Sequence, residues 1–284
     1  MLATLLIVFR EVVEAGLIVG IVLAATVCVP SRGLWVSLGV IGGVIGAALV
    51  AVFAGGIAAL FQGSGQELFN AAILILAVVM LTWHNVWMAN HGKEMSRELK
   101  AIGAQVKTGG RSLLALAVVV GVAVLREGSE VTLFLYGVAA GGGASAVGMM
   151  TGGLLGVLAG AGVSLLMYLG LLAIPAHRLF AATTGLITLL AAGLAAQAAA
   201  FLQKAGAISV LQTPLWDTSG VLPEGSTLGR VLKTIVGYND QPDGLQLIAW
   251  LGVIAVMLAL MRVVNGSKKT PPQTHPAPAA HAAE

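Results

Sequence analysis

Two pentads, Arg10-Glu11-Val12-Val13-Glu14 and Arg126-Glu127-Gly128-Ser129-Glu130, place paired carboxylates and a guanidinium inside long apolar stretches. The chain has 12 Asp and Glu residues in all, and Glu11, Glu14, Glu127 and Glu130 are among them. Helical residues advance about 100° each, so Arg10, Glu14 and Glu11 fall at about 0°, 40° and 100°, on one face. Arg126, Glu130 and Glu127 repeat that geometry, and in both pentads the Arg can hydrogen-bond the Glu four residues on. Together the two faces hold more carboxylates than guanidinium groups, a deficit that a di- or trivalent cation would complement. Carboxylate oxygens suit hard or borderline cations and do not choose among them.

Charge at the centre of a membrane span costs about 2.5 to 3.5 kcal/mol per residue, so six unpaired charges would cost about 15 to 20 kcal/mol. Such residues mark ion pathways and proton relays, or pair to join helices. A metal site, a proton relay without metal and Arg-Glu clusters acting as glue all fit the pentads taken alone. Adhesion needs only one pair, and the second carboxylate on each helix adds cost.

The surrounding chain demands a membrane. It is 58% hydrophobic and 10% charged, against about 25% charged in ordinary globular domains, and its mean hydropathy is +0.95. Apolar runs of about 20 residues recur, each long enough to cross a hydrocarbon core of about 30 Å. They lack period-2 alternation, so they read as helices, and the fold class is all-α and polytopic. The pI near 9.2 does not signal nucleic acid here, because the basic residues cluster between spans. Cys28, the single cysteine, excludes an internal disulfide.

Seven transmembrane helices are expected at about 2–29, 34–61, 67–90, 112–140, 147–174, 178–202 and 244–264. Arg32, Lys93, Arg97, Lys100, Lys107, Arg111, Arg178, Arg262, Lys268 and Lys269 fall on one side of the membrane, against Lys204, Arg230 and Lys233 on the other. The positive-inside bias then puts the N-terminus outside and the C-terminus in the cytoplasm. Spans one and four carry the pentads. Spans two and five carry Gly42-x-x-x-Gly46 and Gly152-x-x-x-Gly156-x-x-x-Gly160, spacings that let helix backbones approach. The matching order suggests two inverted three-helix repeats, at about 1–90 and 112–202, followed by a seventh helix at 244–264, with a site at the repeat interface. The seven-helix domain covers 1–264. Pentad depths of about 12 Å and 22 Å from opposite faces let the two acidic faces meet in the outer half. Met95, Leu99, Ile102 and Val106 predict an amphipathic helix at the headgroups between spans three and four. The Pro-rich segment 265–284 reads as a disordered cytoplasmic tail.

Other polar residues carry weaker signals. His84, flanked by Trp83 and Trp87, is a secondary candidate for metal contact near the cytoplasmic end of span three, where paired Trp residues ordinarily anchor the interface. Glu67 completes a capping-box pattern from Ser64 and is a second candidate, at the outer end. Asp217, Glu224, Asp240 and Asp243 lie in a long outer loop suited to collecting cations or docking a partner. No hydrolase or phosphate-cradling motif is present, so an enzyme is not expected.

With the two R-E-x-x-E pentads in spans one and four, the chain resembles the iron permease family of fungi and bacteria, the oxidase-dependent iron transporters. The likeness covers about 1–264 and includes Gln66-Glu67-Leu68-Phe69, Leu81-Thr82-Trp83, Trp87-Met88, Ala191-Ala192-Gly193-Leu194, Trp216-Asp217 and Gly237-Tyr238. The resemblance implies iron import across the plasma membrane, the bacterial inner membrane in particular. It makes Glu11, Glu14, Glu127 and Glu130 the iron ligands, with Arg10 and Arg126 as their partners. Iron is then a transported substrate and no cofactor is permanently bound. An extracytoplasmic iron oxidase or metal-binding protein is the implied partner. The family commonly has R-E-G-L-E in both pentads, so Val12 and Ser129 depart from it and leave another heavy metal, such as lead, as an alternative. A non-transporting membrane scaffold is the alternative from another class.

Overall fold

The computed structural model describes residues 1–60, 65–141, 145–170 and 176–266. Ser64, Lys268, Lys269 and the tail from 267 onward lie outside the described residues. The elements are α1 (Leu2–Ala25), α2 (Arg32–Leu60), α3 (Gln66–Lys107), α4 (Leu114–Ala140), α5 (Ala146–Tyr168), α6 (Ala176–Lys204), α7 (Thr227–Val236) and α8 (Gly244–Gly266). Helices follow from the apolar runs because each N–H in hydrocarbon must find its carbonyl within the same segment.

Five of these helices contain windows long and apolar enough to cross a membrane, in α2, α3, α5, α6 and α8. α1 and α4 have similar lengths of 24 and 27 residues, and each carries one pentad. Leu38, Leu49 and Phe53 of α2, Met150, Leu154 and Leu158 of α5, and Ile248 and Leu251 of α8 all point outward. Water would not tolerate so continuous an apolar girdle, whereas lipid tails do. Inside it, Ile7, Leu74, Leu81, Phe134, Ile187 and Met257 form a buried core among α1, α3, α4, α6 and α8.

Glycine sets the closest helix pairs. α5 runs parallel to α1, with Gly152, Gly156 and Gly160 against Met1, Leu5 and Phe9 in turn. A Cβ at Gly156 would stand 2.9 Å from the Leu5 carbonyl oxygen, nearer than a methyl tolerates. α2 runs parallel to α4, with Gly39 against Ala117 and Gly121, Gly43 against Val124, and Ala47 against Gly128. Here the sequence expectation needs correction, because Gly42 faces open space and the backbone approach uses Gly39 and Gly43. Helix rotation decides which of two overlapping glycine stripes meets a partner, and spacing alone does not reveal it. After the short 26–31 connection α2 packs along α4, and α1 and α4 run antiparallel, since Ala3 and Ile7 cluster with Phe134 and Val138 while Ile18 and Val22 cluster with Leu116 and Val120.

α3 also departs from expectation. It continues unbroken for 42 residues to Lys107, and its second half does not lie apart at the headgroups. Leu99 and Val106 are buried against Ile18, Val22, Val36, Leu116 and Val120, and a Cβ at Gly103 would touch Ala25 at 2.4 Å. The apolar stripe was legible, but protein covers it instead of lipid.

The long loop after α6 holds α7, a short helix that sequence reading missed. Ser226 caps it by accepting from the Gly229 amide, and Gly237 ends it at φ 75°. The loop acids are engaged within the loop. Asp217 accepts from the Ser219 hydroxyl at 2.6 Å and amide at 2.9 Å, bonds that hold its carboxyl below the usual range. Glu224 pairs with Lys233, Asp240 accepts from the Glu224 amide, and Asp243 accepts from the Gln246 amide at the start of α8. These bonds fix the loop and leave no cation-collecting cluster of the four acids.

Candidate metal centre

α1 and α4 bring their charged faces together, and α3 inserts one imidazole between them. Arg10 Nη1 lies 3.2 Å from Glu11 Oε1, and Arg10 Nε lies 2.9 Å from Glu14 Oε1. On α4, Arg126 Nε lies 3.1 Å from Glu130 Oε1 and 4.0 Å from Glu127 Oε1. His84 joins the two halves: its Nε2 is 3.1 Å from Glu14 Oε2, and its Nδ1 contacts Glu130 Oε2. The result is a continuous chain of contacts, Arg10–Glu14–His84–Glu130–Arg126, nearly symmetric about the imidazole.

The remaining two carboxylates differ. Glu11 and Glu127 are buried with their carboxyl groups facing each other at hydrogen-bond reach, and no N–H donor among the described residues serves Glu11 Oε2 or Glu127 Oε2. A buried carboxylate oxygen without a donor costs free energy, and such an arrangement persists where a ligand completes it. One ligand atom each from Glu11, His84, Glu127 and Glu130 lies within 4.8 Å of the others. Three carboxylates and an imidazole are donors for a borderline divalent ion such as iron(II), with His84 Nδ1 able to ligate once it gives up Glu130 and its proton.

The surroundings position these groups. Arg10, Glu11, Glu14, His84 and Glu127 are buried, so the charged groups see each other through little water and interact strongly. Val12, the departure in the first pentad, packs on Gly160 of α5, where a Cβ would stand 2.9 Å from the Val12 Cβ. In the second pentad the small residue is on the other partner: Gly128 of α4 packs on Ala47 of α2, where an added Cβ would lie 2.5 Å from the alanine methyl. The bulk has changed sides of the contact, so Val12 fits without opening the helix pair. Ser129 donates to the Leu125 carbonyl at 2.7 Å and so satisfies its own helix.

Of the residues singled out from sequence, Arg10, Glu11, Glu14, Arg126, Glu127, Glu130 and His84 converge. His84 lies between the two pentads, in contact with Glu14 and Glu130. Glu67 does not join them: it is exposed in the first turn of α3, about 25 Å along the helix from His84. Its helix is capped by Gly65 at φ 100°, with no side-chain cap bond. Trp83 points outward at 72% exposure as an interface anchor would, but Trp87 covers Arg126. Asn85 was overlooked; it is buried, and neither its Oδ1 nor its Nδ2 has a partner among the described residues. Its signal was an amide beside the one histidine that falls within an apolar span.

A lipid-facing helical bundle with buried, ion-competent side chains at its centre defines a class, the multi-pass membrane permeases. The chain belongs to the Iron permease FTR1 family, whose model matches residues 1–268. It is similar to the ferrous iron permease EfeU of Escherichia coli O6:H1, at 31% identity over 254 residues, covering 88% of this chain and 91% of the relative. The ferrous iron permease EfeU of Escherichia coli O157:H7 shows the same identity and coverage. That of Yersinia pestis is 32% identical over 246 residues, covering 85% and 86%. No solved structure matches the chain. In bacteria such a multi-pass protein resides in the inner membrane.

Proposed function

We propose that this chain imports iron(II), binding it between the pentads of α1 and α4 with Glu11, Glu127, Glu130 and His84 as ligands. Glu14 holds His84 in place, and Arg10 and Arg126 orient the carboxylates. The observation that carries this reading is the convergence of both pentads on His84, with the Glu11 and Glu127 carboxyl groups facing each other and no N–H donor between them. The ferrous form follows the names of the similar permeases. Transport here needs no covalent chemistry.

The same reading includes seven spans, α1 to α6 with α8, in two inverted repeats, with the N-terminus outside. The antiparallel course of α1 and α4 and the equivalent pairings α1 with α5 and α4 with α2 support it. So does the arginine and lysine bias of the loops. Alternating access between repeats would carry the ion past a fixed central site. An extracytoplasmic oxidase or iron-binding partner would deliver iron at the 205–243 loop.

The test is radioactive iron uptake by proteoliposomes, with a metal panel including lead as competitors. Glu127→Gln and Glu11→Gln should lower uptake at least 100-fold at normal protein level. Wild-type flux in both variants would overturn the ligand assignment, and a wild-type protein that moves another metal in preference to iron would overturn the substrate.

A further inference from the structure

The antiparallel course of α1 and α4 puts Arg10 and Arg126, each first in its pentad, at opposite ends of the carboxylate cluster. The two ends are not equivalent. The Arg10 side chain is 2% exposed and that of Arg126 is 36% exposed, so protein encloses the Arg10 end and leaves the Arg126 end partly uncovered. On the open side the Arg126 guanidinium carbon sits 4.4 Å from the centre of the Trp87 ring. Trp87 in turn stacks on His91, centroids 5.0 Å apart and planes 16° from parallel. His84, Trp87 and His91 follow one face of α3, and the row leads from the buried cluster to the exposed His91 about 10 Å further along.

The chemistry of His91 suits a ligand. Its Nδ1 lies 3.2 Å from the Trp87 carbonyl oxygen. A carbonyl can only accept, so Nδ1 is the donor in this contact, which leaves Nε2 as the ring atom that could take a metal. A backbone-oriented imidazole with a free Nε2 is the usual form of a metal-binding histidine. Arg126, being a fixed positive charge, opposes a cation moving past it. Trp87 gives the guanidinium a face to rest on at the side of that route.

We propose that the ion leaves the cluster on the Arg126 side, where Arg126 and Trp87 form the inner door and His91 Nε2 is the next ligand, while Arg10 is the matching outer seal. This rests on the iron transport reading and adds direction and a second ligand to it. The positive-inside bias of Lys107, Arg111 and Arg32, which lie at the same end, makes that door cytoplasmic.

Two measurements test it. In a Cys28→Ser background, His91→Cys should react with a membrane-impermeant maleimide in inside-out vesicles and resist it in intact spheroplasts. Reaction from the outer face alone would overturn the direction. Separately, His91→Ala and Trp87→Leu should slow proteoliposome iron flux about 5- to 20-fold while equilibrium iron binding to the cluster stays within twofold, and His91→Asp should recover much of the His91→Ala loss. If wild type carries iron and Glu127→Gln abolishes it, yet both variants run at the wild-type rate, the exit proposal fails alone. If Glu127→Gln has no effect, the carboxylate site itself fails. His91 is exposed, so its substitution leaves folding intact even where Trp87→Leu does not.

Discussion

His84→Leu removes the one group that ties Glu14 of α1 to Glu130 of α4. Hydrogen bonds to charged groups contribute about 1.5 to 3 kcal/mol each, so losing both should cost about 3 to 6 kcal/mol. Removing one partner of a buried ion pair costs about 3 to 5 kcal/mol, which agrees. Leucine fills a similar volume, so packing adds little to that loss. The assay is unfolding of purified protein in mixed micelles, with and without saturating iron(II). Ligand binding at 100 times Kd adds about 2.7 kcal/mol of stability, and a variant that binds iron about 10- to 100-fold more weakly gains about 1 to 2 kcal/mol less at the same iron concentration, so the gap between variant and wild type should widen when iron is present. Iron affinity should fall about 10- to 100-fold, the usual loss when a ligand or its orienting partner is removed. A variant that unfolds with wild type, or a gap that iron leaves untouched, would refute the reasoning.

Gly160→Ala should strain the α1–α5 contact, since its methyl meets the Phe9 carbonyl and the Val12 side chain at 2.9 Å. Overpacking of this kind costs about 1 to 3 kcal/mol; Val12→Ala in the same chain should recover part of the loss, read as thermal stability and iron uptake together. Asn85→Leu removes a buried amide without partners, so it should hold or raise stability by about 1 to 3 kcal/mol while lowering iron flux. A silent effect on flux would make Asn85 a purely structural residue. Glu67→Gln should leave uptake within about twofold of wild type in the proteoliposome assay, because the side chain lies about 25 Å along α3 from His84.

Helix positions and the pairing of the pentads were legible because hydrocarbon permits so few structures. An apolar run must become a helix, and charges within it must turn toward each other. Depth along the helix, counted from opposite faces, brings Glu11, Glu14, Glu127 and Glu130 to comparable levels. What escaped depended on rotation about the helix axis. Gly42 and Gly43 are adjacent in sequence, yet only Gly43 faces α4. His84 and Trp87 read as a secondary contact and an interface anchor, because nothing in span three states which of its faces meets the pentads. Leu99 and Val106 looked lipid-facing for the same reason, since an amphipathic stripe does not name its partner. α7 was missed although Ser226 and Gly237 bracket it with ordinary stop signals, because ten residues in a polar loop lack the apolar period that announced the others.

The pairing of α1 with α5 and of α2 with α4 also bears on how the protein is made. α1 packs on α5 and α2 on α4, so α1 emerges from the ribosome with its main packing partner still about 120 residues away, on the order of 10 s at ordinary synthesis rates. Through that interval neither α4, with Glu127 and Glu130, nor His84-bearing α3 in its final place is there to receive the first pentad. Arg10 can already meet Glu11 and Glu14 within its own helix. The intrahelical ion pairs therefore give a newly inserted, triply charged helix its own neutralising partners while it waits in the bilayer for the rest of the bundle.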